Sequence, residues 1–227
     1  MKISRLWTKD FSLITVATIL SAIGGEAMNL PISLLVFDQT KSTMMSAIIM
    51  VCGMLPDVIL PVFIAPLIDK GSKKKWIVGL DLLMALIFLG TGFYILRNPF
   101  NYMFYVIFTL IIGTISVFYR LSYMAWYPDL IPVGMEQKGY AVSGTIYPTI
   151  TIVMAPVSAF LYKNVALGYI FMFVALLMGI SVAAEMYITE VRSKVQEKYA
   201  FKQYKDDILE GFHYLKSRKE FEISIPI

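Results

Sequence analysis

Six long apolar segments, separated by short polar turns, dominate this sequence. They cover residues 11–37, 44–67, 76–96, 102–123, 139–162 and 165–188. Each reaches the roughly 20 residues that an α-helix needs to cross the hydrocarbon core of a bilayer. The segments are continuously apolar rather than alternating, and a helix satisfies its own backbone hydrogen bonds in lipid, so helices are predicted rather than a β-barrel. The sequence therefore predicts an all-α membrane protein with six transmembrane helices.

The composition and the positions of the cations support a membrane location. Hydrophobic residues make up 58% of the chain and charged residues 16%, whereas charged residues are about 25% of an ordinary soluble domain. The net charge of +4 does not indicate a nucleic-acid partner, because the cations are distributed by membrane side. If the N-terminus is cytoplasmic, the outer loops hold only Lys41, Arg97 and Lys163. This asymmetry predicts a multi-pass protein of the plasma membrane, in contact with the lipid bilayer and with both termini in the cytoplasm.

The chain is predicted to divide into three parts. Residues 1–190 form the six-helix bundle, after which the composition becomes charged. Within residues 191–221, apolar residues follow the spacing of an amphipathic helix, as expected of a cytoplasmic linker lying on the inner membrane surface. Residues 222–227, EISIPI, begin another apolar run and are predicted to start a truncated seventh helix.

Polar residues inside the predicted spans are the candidates for function, because an ionisable group at membrane depth is costly unless it faces a bundle interior or water. Helical spacing places several of them on polar faces of the first, second and fourth spans. The candidates for a substrate cavity or for proton coupling are Glu26, Asn29, Asp57, Thr109 and Arg120. An alternative interpretation of Glu26 and Asp57 is a buried carboxyl bonded to neighbouring helices.

A second group of charges lies near the predicted cytoplasmic boundary. Asp81, Arg120 and Glu185 each fall within one or two helical turns of it. They are predicted to form one charge cluster, since charges inside a membrane protein normally pair. A network that ties helices together is the favoured interpretation, and a gating role is the alternative.

No sequence motif indicates an enzyme, a metal site or a cofactor. The patterns HExxH, GxSxG and GxxxxGK[ST] do not occur. Cys52 is the only cysteine and His213 the only histidine, so neither a disulfide within the chain nor a cysteine metal site is expected. An intramembrane enzyme and the membrane domain of an ATP-driven exporter are the alternatives to a gradient-driven transporter.

A short basic loop, APLIDKGSKKK, joins the second and third segments at residues 65–75. It resembles the motif GxxxDRxGRR that members of the major facilitator superfamily carry between their second and third helices. Asp69 matches the acid, Lys70 the following cation, and Lys73 and Lys74 the closing basic pair. By itself the loop would indicate only a positive-inside topology.

A second stretch, YRLSYMAWYPDLIPVGMEQKGY at residues 119–140, resembles the macrolide and siderophore exporter branch of that superfamily. The branch has a similar PDLVP segment after its fourth helix, and Asp81 sits where the branch places an acid. Residues 208–215 resemble its linker.

The resemblance implies a fold of two six-helix halves with substrate bound between them near the midplane. This chain would supply the N-terminal half and the linker of a secondary active transporter that exports small, partly apolar molecules by alternating access, with protons as the candidate coupling ion. Its partner would then be a C-terminal six-helix half. A fragment of a longer transporter is expected, and a half-transporter that pairs with a second chain, or an inactive fragment, is the alternative.

Overall fold

The computed structural model describes residues 6–69 and 71–189, and within them the chain is all helical apart from turns. The helices are α1 (Lys9–Thr40), α2 (Thr43–Ile59), α3 (Pro61–Asp69), α4 (Lys73–Arg97), α5 (Tyr102–Leu130), α6 (Glu136–Asn164) and α7 (Leu167–Met186). Of these described helices, five (α1, α4, α5, α6 and α7) are long and apolar enough to cross a membrane. The all-helical prediction is confirmed. The predicted linker and the start of a seventh helix lie outside the described residues.

The second predicted span is divided into α2 and α3. Pro61 has no N–H to donate to the carbonyl of Asp57, so the helical ladder is interrupted there. Leu60 N–H still donates to the Pro56 carbonyl oxygen at 2.9 Å, and Ile64 N–H donates to that of Leu60 at 3.0 Å. The two helices therefore follow each other without a loop, but α2 alone has 17 residues, fewer than the roughly 20 of a span. Five single helices, rather than the predicted six, reach spanning length in the described chain.

Side-chain caps fix where several helices begin. Thr8, Ser42, Ser72 and Asn101 each accept a hydrogen bond from the backbone N–H three residues further on. Such caps satisfy N–H groups that the first helical turn leaves without partners. In the turn between α5 and α6, Gly134 has a φ of +83°, a conformation that glycine adopts without steric cost.

The core lies where α1, α4, α5 and α7 meet. α4 and α7 share the most extensive contact, α1 packs against both α6 and α7, and α5 packs against α2, α3 and α4. Three phenylalanines join α4, α5 and α7, because the ring centroid of Phe171 lies 5.7 Å from that of Phe88 and 5.3 Å from that of Phe108. This packing leaves an open cavity lined by α1, α2, α5 and α6 together with residues of α4 and α7.

Gly113 on α5 allows the close approach of α2. A Cβ at this position would overlap the backbone carbonyl of Gly53 and lie 3.3 Å from Pro56 Cγ. We expect Gly113→Ala to lower the free energy of unfolding by about 1–3 kcal/mol, because backbone atoms cannot rotate away as a side chain can. The measurement is the apparent thermal midpoint of the purified protein in lipid nanodiscs.

Gly53→Ala is the matched control, because a Cβ at Gly53 would meet no atom within 4 Å. Both variants gain the same helix propensity of about 1 kcal/mol, so the difference between them reports the overlap alone. Equal midpoints for the two variants would contradict the importance of this crossing.

Candidate functional site

An open cavity of about 690 Å³ lies among α1, α2, α4, α5, α6 and α7. Its volume is within the roughly 300–1,000 Å³ of small-molecule sites in proteins. The lining combines apolar side chains with charged groups and tyrosines, the last of which are Tyr119, Tyr123, Tyr127, Tyr140 and Tyr147. Tyrosine offers an apolar ring and a hydroxyl that can donate or accept a hydrogen bond. The cavity can therefore hold a small molecule with both apolar and polar parts.

Arg120 of α5 and Asp57 of α2 form an ion pair in the cavity wall. Arg120 Nη2 lies 2.9 Å from Asp57 Oδ1, and Arg120 Nη1 donates to Asp57 Oδ2 at 3.2 Å. Two parallel bonds of this kind fix a guanidinium and a carboxylate in one plane. Both side chains are partly exposed, at 46% and 39%, so a ligand in the cavity can reach them. The structure brings together two candidates that the sequence placed on separate helices.

Glu26 of α1 lies in the cavity wall and is bonded to α6. Thr151 Oγ1 donates to Glu26 Oε1 at 3.0 Å, and Ser158 Oγ donates to the Glu26 backbone carbonyl at 3.1 Å. Asn29, about one turn further along α1, also lines the cavity. Glu26 and Asn29 of the first span therefore both lie on the cavity, and Glu26 also contacts α6.

Thr109 is not part of the cavity lining. Its hydroxyl donates within its own helix, to the Tyr105 carbonyl at 2.6 Å and to the Val106 carbonyl at 3.1 Å. Threonine commonly satisfies its hydroxyl in this way inside helices. The structure thus does not bring Thr109 together with the other four candidates.

The predicted cluster of Asp81, Arg120 and Glu185 does not form as one group. Asp81 and Glu185 are both 0% exposed and are neighbours, because Ser181, one helical turn before Glu185, is hydrogen-bonded to Asp81, whereas Arg120 pairs with Asp57. Successive residues of a helix point about 100° apart, and it is Tyr119, not Arg120, that faces the acids: its hydroxyl donates to Glu185 Oε1 at 3.3 Å. The three-residue cluster is therefore corrected to a pair of acids.

Serine hydroxyls complete the surroundings of the acid pair. Ser21 Oγ of α1 donates to Asp81 Oδ2 at 2.9 Å, and Ser181 Oγ of α7 lies 3.0 Å from the same oxygen. Sequence reasoning did not single out Ser21, Ser181 or Tyr119. Two signals were available, because Ser181 precedes Glu185 by one helical turn and Tyr119 is the neighbour of Arg120 in the sequence.

The basic loop contacts the ends of two other helices. Lys73 Nζ lies 3.0 Å from Asp129 Oδ2, so the start of α4 is paired with the PDL segment at the end of α5. Lys74 Nζ donates to the carbonyl oxygens of Met186 and Ile188 at 2.9 and 2.7 Å, which satisfies acceptors that the end of α7 leaves free. The Asp69 side chain and Lys70, the other two residues of the motif, lie outside the described part of the chain.

Among the described residues, no three histidine, cysteine, aspartate or glutamate side chains come together in a way that could hold a metal ion.

A bundle of span-capable helices around an open, partly charged cavity is the architecture of a multi-pass membrane protein. The model of the Major Facilitator Superfamily matches residues 14–225, so this chain belongs to that superfamily of membrane transporters, as predicted. Comparison with curated proteins and with solved structures gives no match.

Proposed function

We propose that this chain is the N-terminal bundle of a secondary active transporter that exports small, partly apolar molecules. The observation that carries the proposal is the cavity of about 690 Å³, in which the Arg120 and Asp57 ion pair lies among tyrosines and apolar side chains. Aromatic and methionine side chains suit bulky apolar groups of varied shape, and the charged pair would bind a polar group of the same molecule. The resemblance of residues 119–140 to the macrolide and siderophore exporter branch supports the direction of transport.

A second six-helix bundle is the proposed partner. Arg120 and Asp57 are partly exposed on the open side of the cavity, and neither side chain is stable against hydrocarbon. A facing bundle with water between the two halves would remove that conflict and would place the cavity at the midplane, where transporters of this kind bind substrate. We propose that α2 and α3 together cross the membrane as one interrupted span, which brings this half to six.

The basic loop is proposed to stabilise one conformation on the cytoplasmic side. Lys73 and Lys74 tie α4 to the ends of α5 and α7, and Asp69 with Lys70 is proposed to complete the contact toward the second bundle. The proposed location is the plasma membrane with both termini cytoplasmic, which the distribution of Lys and Arg along the sequence supports.

Proton coupling at the cavity is tested with the complete transporter in liposomes under an imposed pH gradient, with ethidium and erythromycin as probes. We expect Glu26→Gln and Asp57→Asn each to reduce gradient-driven uptake about fivefold to tenfold, since each removes a carboxylate that a proton or a cationic substrate can neutralise. Glu136→Gln, at the start of α6 and away from the cavity lining, is the control. If both cavity variants transport as fast as Glu136→Gln, these two acids do not couple transport to protons.

The same liposomes distinguish the alternatives. A requirement for ATP instead of a pH gradient would indicate the membrane domain of an ATP-driven exporter. Transport by the 227-residue chain alone would contradict the need for a second bundle. Absence of transport by the chain alone, with activity restored by a second six-helix chain, would identify a half-transporter.

A further inference from the structure

The acid pair formed by Asp81 of α4 and Glu185 of α7 has an unusual set of hydrogen bonds. Asp81 Oδ2 faces two hydroxyl donors, Ser21 and Ser181, and Glu185 Oε1 accepts from Tyr119. The other oxygen of each acid, Asp81 Oδ1 and Glu185 Oε2, is buried without a hydrogen-bond partner. Ser181 is hydrogen-bonded to Asp81 and lies one helical turn before Glu185 on α7, so the two carboxyls are neighbours and each unpartnered oxygen lacks a donor hydrogen.

Two ionised carboxylates in this place would bring two negative charges out of water at a high cost in free energy, unless a cation pairs with them. Three described cations of the helices around the pair, one on α5 and two on α4, bond elsewhere. Arg120 binds Asp57, Lys73 binds Asp129, and Lys74 binds the carbonyls at the end of α7. One hydrogen between the two unpartnered oxygens would leave a single charge, stabilised by the hydroxyls of Ser21 and Tyr119 and by that of Ser181, whose one hydrogen is shared with the Ala17 carbonyl oxygen at 3.2 Å. Every carboxyl oxygen would then have a partner.

We propose that Asp81 and Glu185 form a proton-binding site that holds one exchangeable proton between Asp81 Oδ1 and Glu185 Oε2. The O–H bond is made on one carboxyl and the hydrogen bond is accepted by the other, so the pair carries one negative charge when loaded. Release sends the proton to water in the cavity and leaves two carboxylates, and uptake reverses the step. No oxidant, reductant or metal ion takes part.

A route between the pair and the cavity exists through two hydroxyls. Ser21 and Tyr119 both line the cavity, and each bonds one of the two acids. A hydroxyl donates one hydrogen while it accepts another, so either residue can pass a proton between cavity water and the pair. The acids themselves do not line the cavity, which keeps the site away from direct contact with a bound molecule.

The other titratable groups around the pair are few in the described chain. Tyr119 faces it from α5, and Tyr147 of α6 interacts electrostatically with Asp81. From α1 the pair meets the uncharged Ser21, and further along, Asp10 of α1 binds the backbone of Thr189 beyond the end of α7. Lys74 reaches the same end of α7 but bonds carbonyl oxygens.

The number of bound protons is measured by infrared difference spectroscopy of the purified full chain in lipid nanodiscs at neutral pH, using the C=O stretch of the un-ionised carboxylic acid. The variants are Asp81→Asn, Glu185→Gln and the double variant, and their amide groups keep the shape of the pair. We expect each single variant to lose one carboxylic acid relative to the wild type, and the double variant to lose the same one and no more. The wild-type band should shift in D2O, because the proton exchanges.

Five results would overturn the proposal. No loss in any variant would mean that both acids are ionised, and a band that changes when choline chloride replaces NaCl would identify a sodium site instead. A loss of two carboxylic acids in the double variant would mean that each acid holds its own proton. Loss in Glu185→Gln alone would mean that the proton is not shared. A band that does not shift in D2O would mean that the proton does not exchange.

Ser181→Ala and Tyr119→Phe keep both acids and guard against a folding defect in the amide variants. Each removes one donor, so we expect the carboxylic-acid band to change frequency without losing intensity, and an unchanged frequency in both would contradict the hydrogen-bond arrangement.

The link to transport rests on the proposed function. In liposomes of the complete transporter, Asp81→Asn and Glu185→Gln should exchange ethidium as the wild type does. Their gradient-driven uptake of ethidium should be at least tenfold lower than that of the wild type. If the wild type moves no probe, the proposed function fails while the infrared result still decides the site, and normal driven uptake in both variants would overturn the link to transport.

Discussion

Arg120→Met is expected to reduce gradient-driven uptake by the complete transporter about 100-fold, the largest functional effect of any single cavity substitution. The variant removes both bonds to Asp57 and leaves that carboxylate without its cation. Separating a fully buried pair costs about 3–5 kcal/mol. Because Arg120 and Asp57 are 46% and 39% exposed, water screens the remaining charge, and a smaller cost of about 2–3 kcal/mol is expected, equivalent to about 100-fold.

Two further variants separate the ion pair from the single charge. Arg120→Lys keeps the positive charge but cannot make two parallel bonds, so its uptake should lie between those of the wild type and Arg120→Met. The exchanged pair, Asp57→Arg with Arg120→Asp, should recover part of the activity that either single reversal loses. Arg97→Met makes the same chemical change at the exposed end of α4 and should transport normally. Wild-type uptake by Arg120→Met would contradict a role for the pair.

Helix positions were predictable from the sequence because both the apolar segments and the caps are local signals. The predicted start at residue 102 is the observed start of α5, and the other long helices begin or end within a few residues of the prediction. Which of the prolines Pro56, Pro61 and Pro66 would divide the second span was not predictable, since prolines are tolerated inside membrane helices when neighbours satisfy the freed backbone groups. The end of α5 was also missed: the PDL segment, expected after the helix, continues it to Leu130.

Four of the residues that line the cavity were predictable from helical spacing, namely Glu26, Asn29, Asp57 and Arg120. Their partners were not, because pairing depends on how each helix is rotated and where it crosses its neighbours. Counting residues placed Arg120 at the depth of Asp81 and Glu185, but rotation about α5 directs it to Asp57 instead.

The contact between the two family-like stretches shows the same limit. The sequence placed Lys73 in one and Asp129 in the other without indicating that they meet, whereas the structure brings them to 3.0 Å. Local patterns therefore name the polar residues of a helical bundle, and only its packing gives their partners.

Phe171→Ala is expected to lower the apparent thermal midpoint by about 6–12 °C, the largest effect on stability of a single side-chain truncation in this core. Phe171 is 0% exposed and its ring packs against Phe88 of α4 and Phe108 of α5. Lipid is as apolar as the ring, so the hydrophobic effect contributes little and the cost comes from the lost packing contacts and the cavity left behind. That places the change at the lower end of the range for phenylalanine, about 3 kcal/mol, which for a bundle of this size corresponds to about 2–4 °C per kcal/mol.

Phe173→Ala provides the control within the same helix. Phe173 lies two residues further along α7 and is 52% exposed on the outside of the bundle, where its ring meets lipid both before and after association of the helices. The same truncation should therefore change the midpoint by less than about 2 °C, within the usual range of surface substitutions. Comparable losses from the two variants would mean that α7 is held by its contact with lipid and not by the three phenylalanines. A loss confined to Phe171→Ala, and no further loss when Phe88→Ala is added, would show that the three rings stabilise the bundle as one unit.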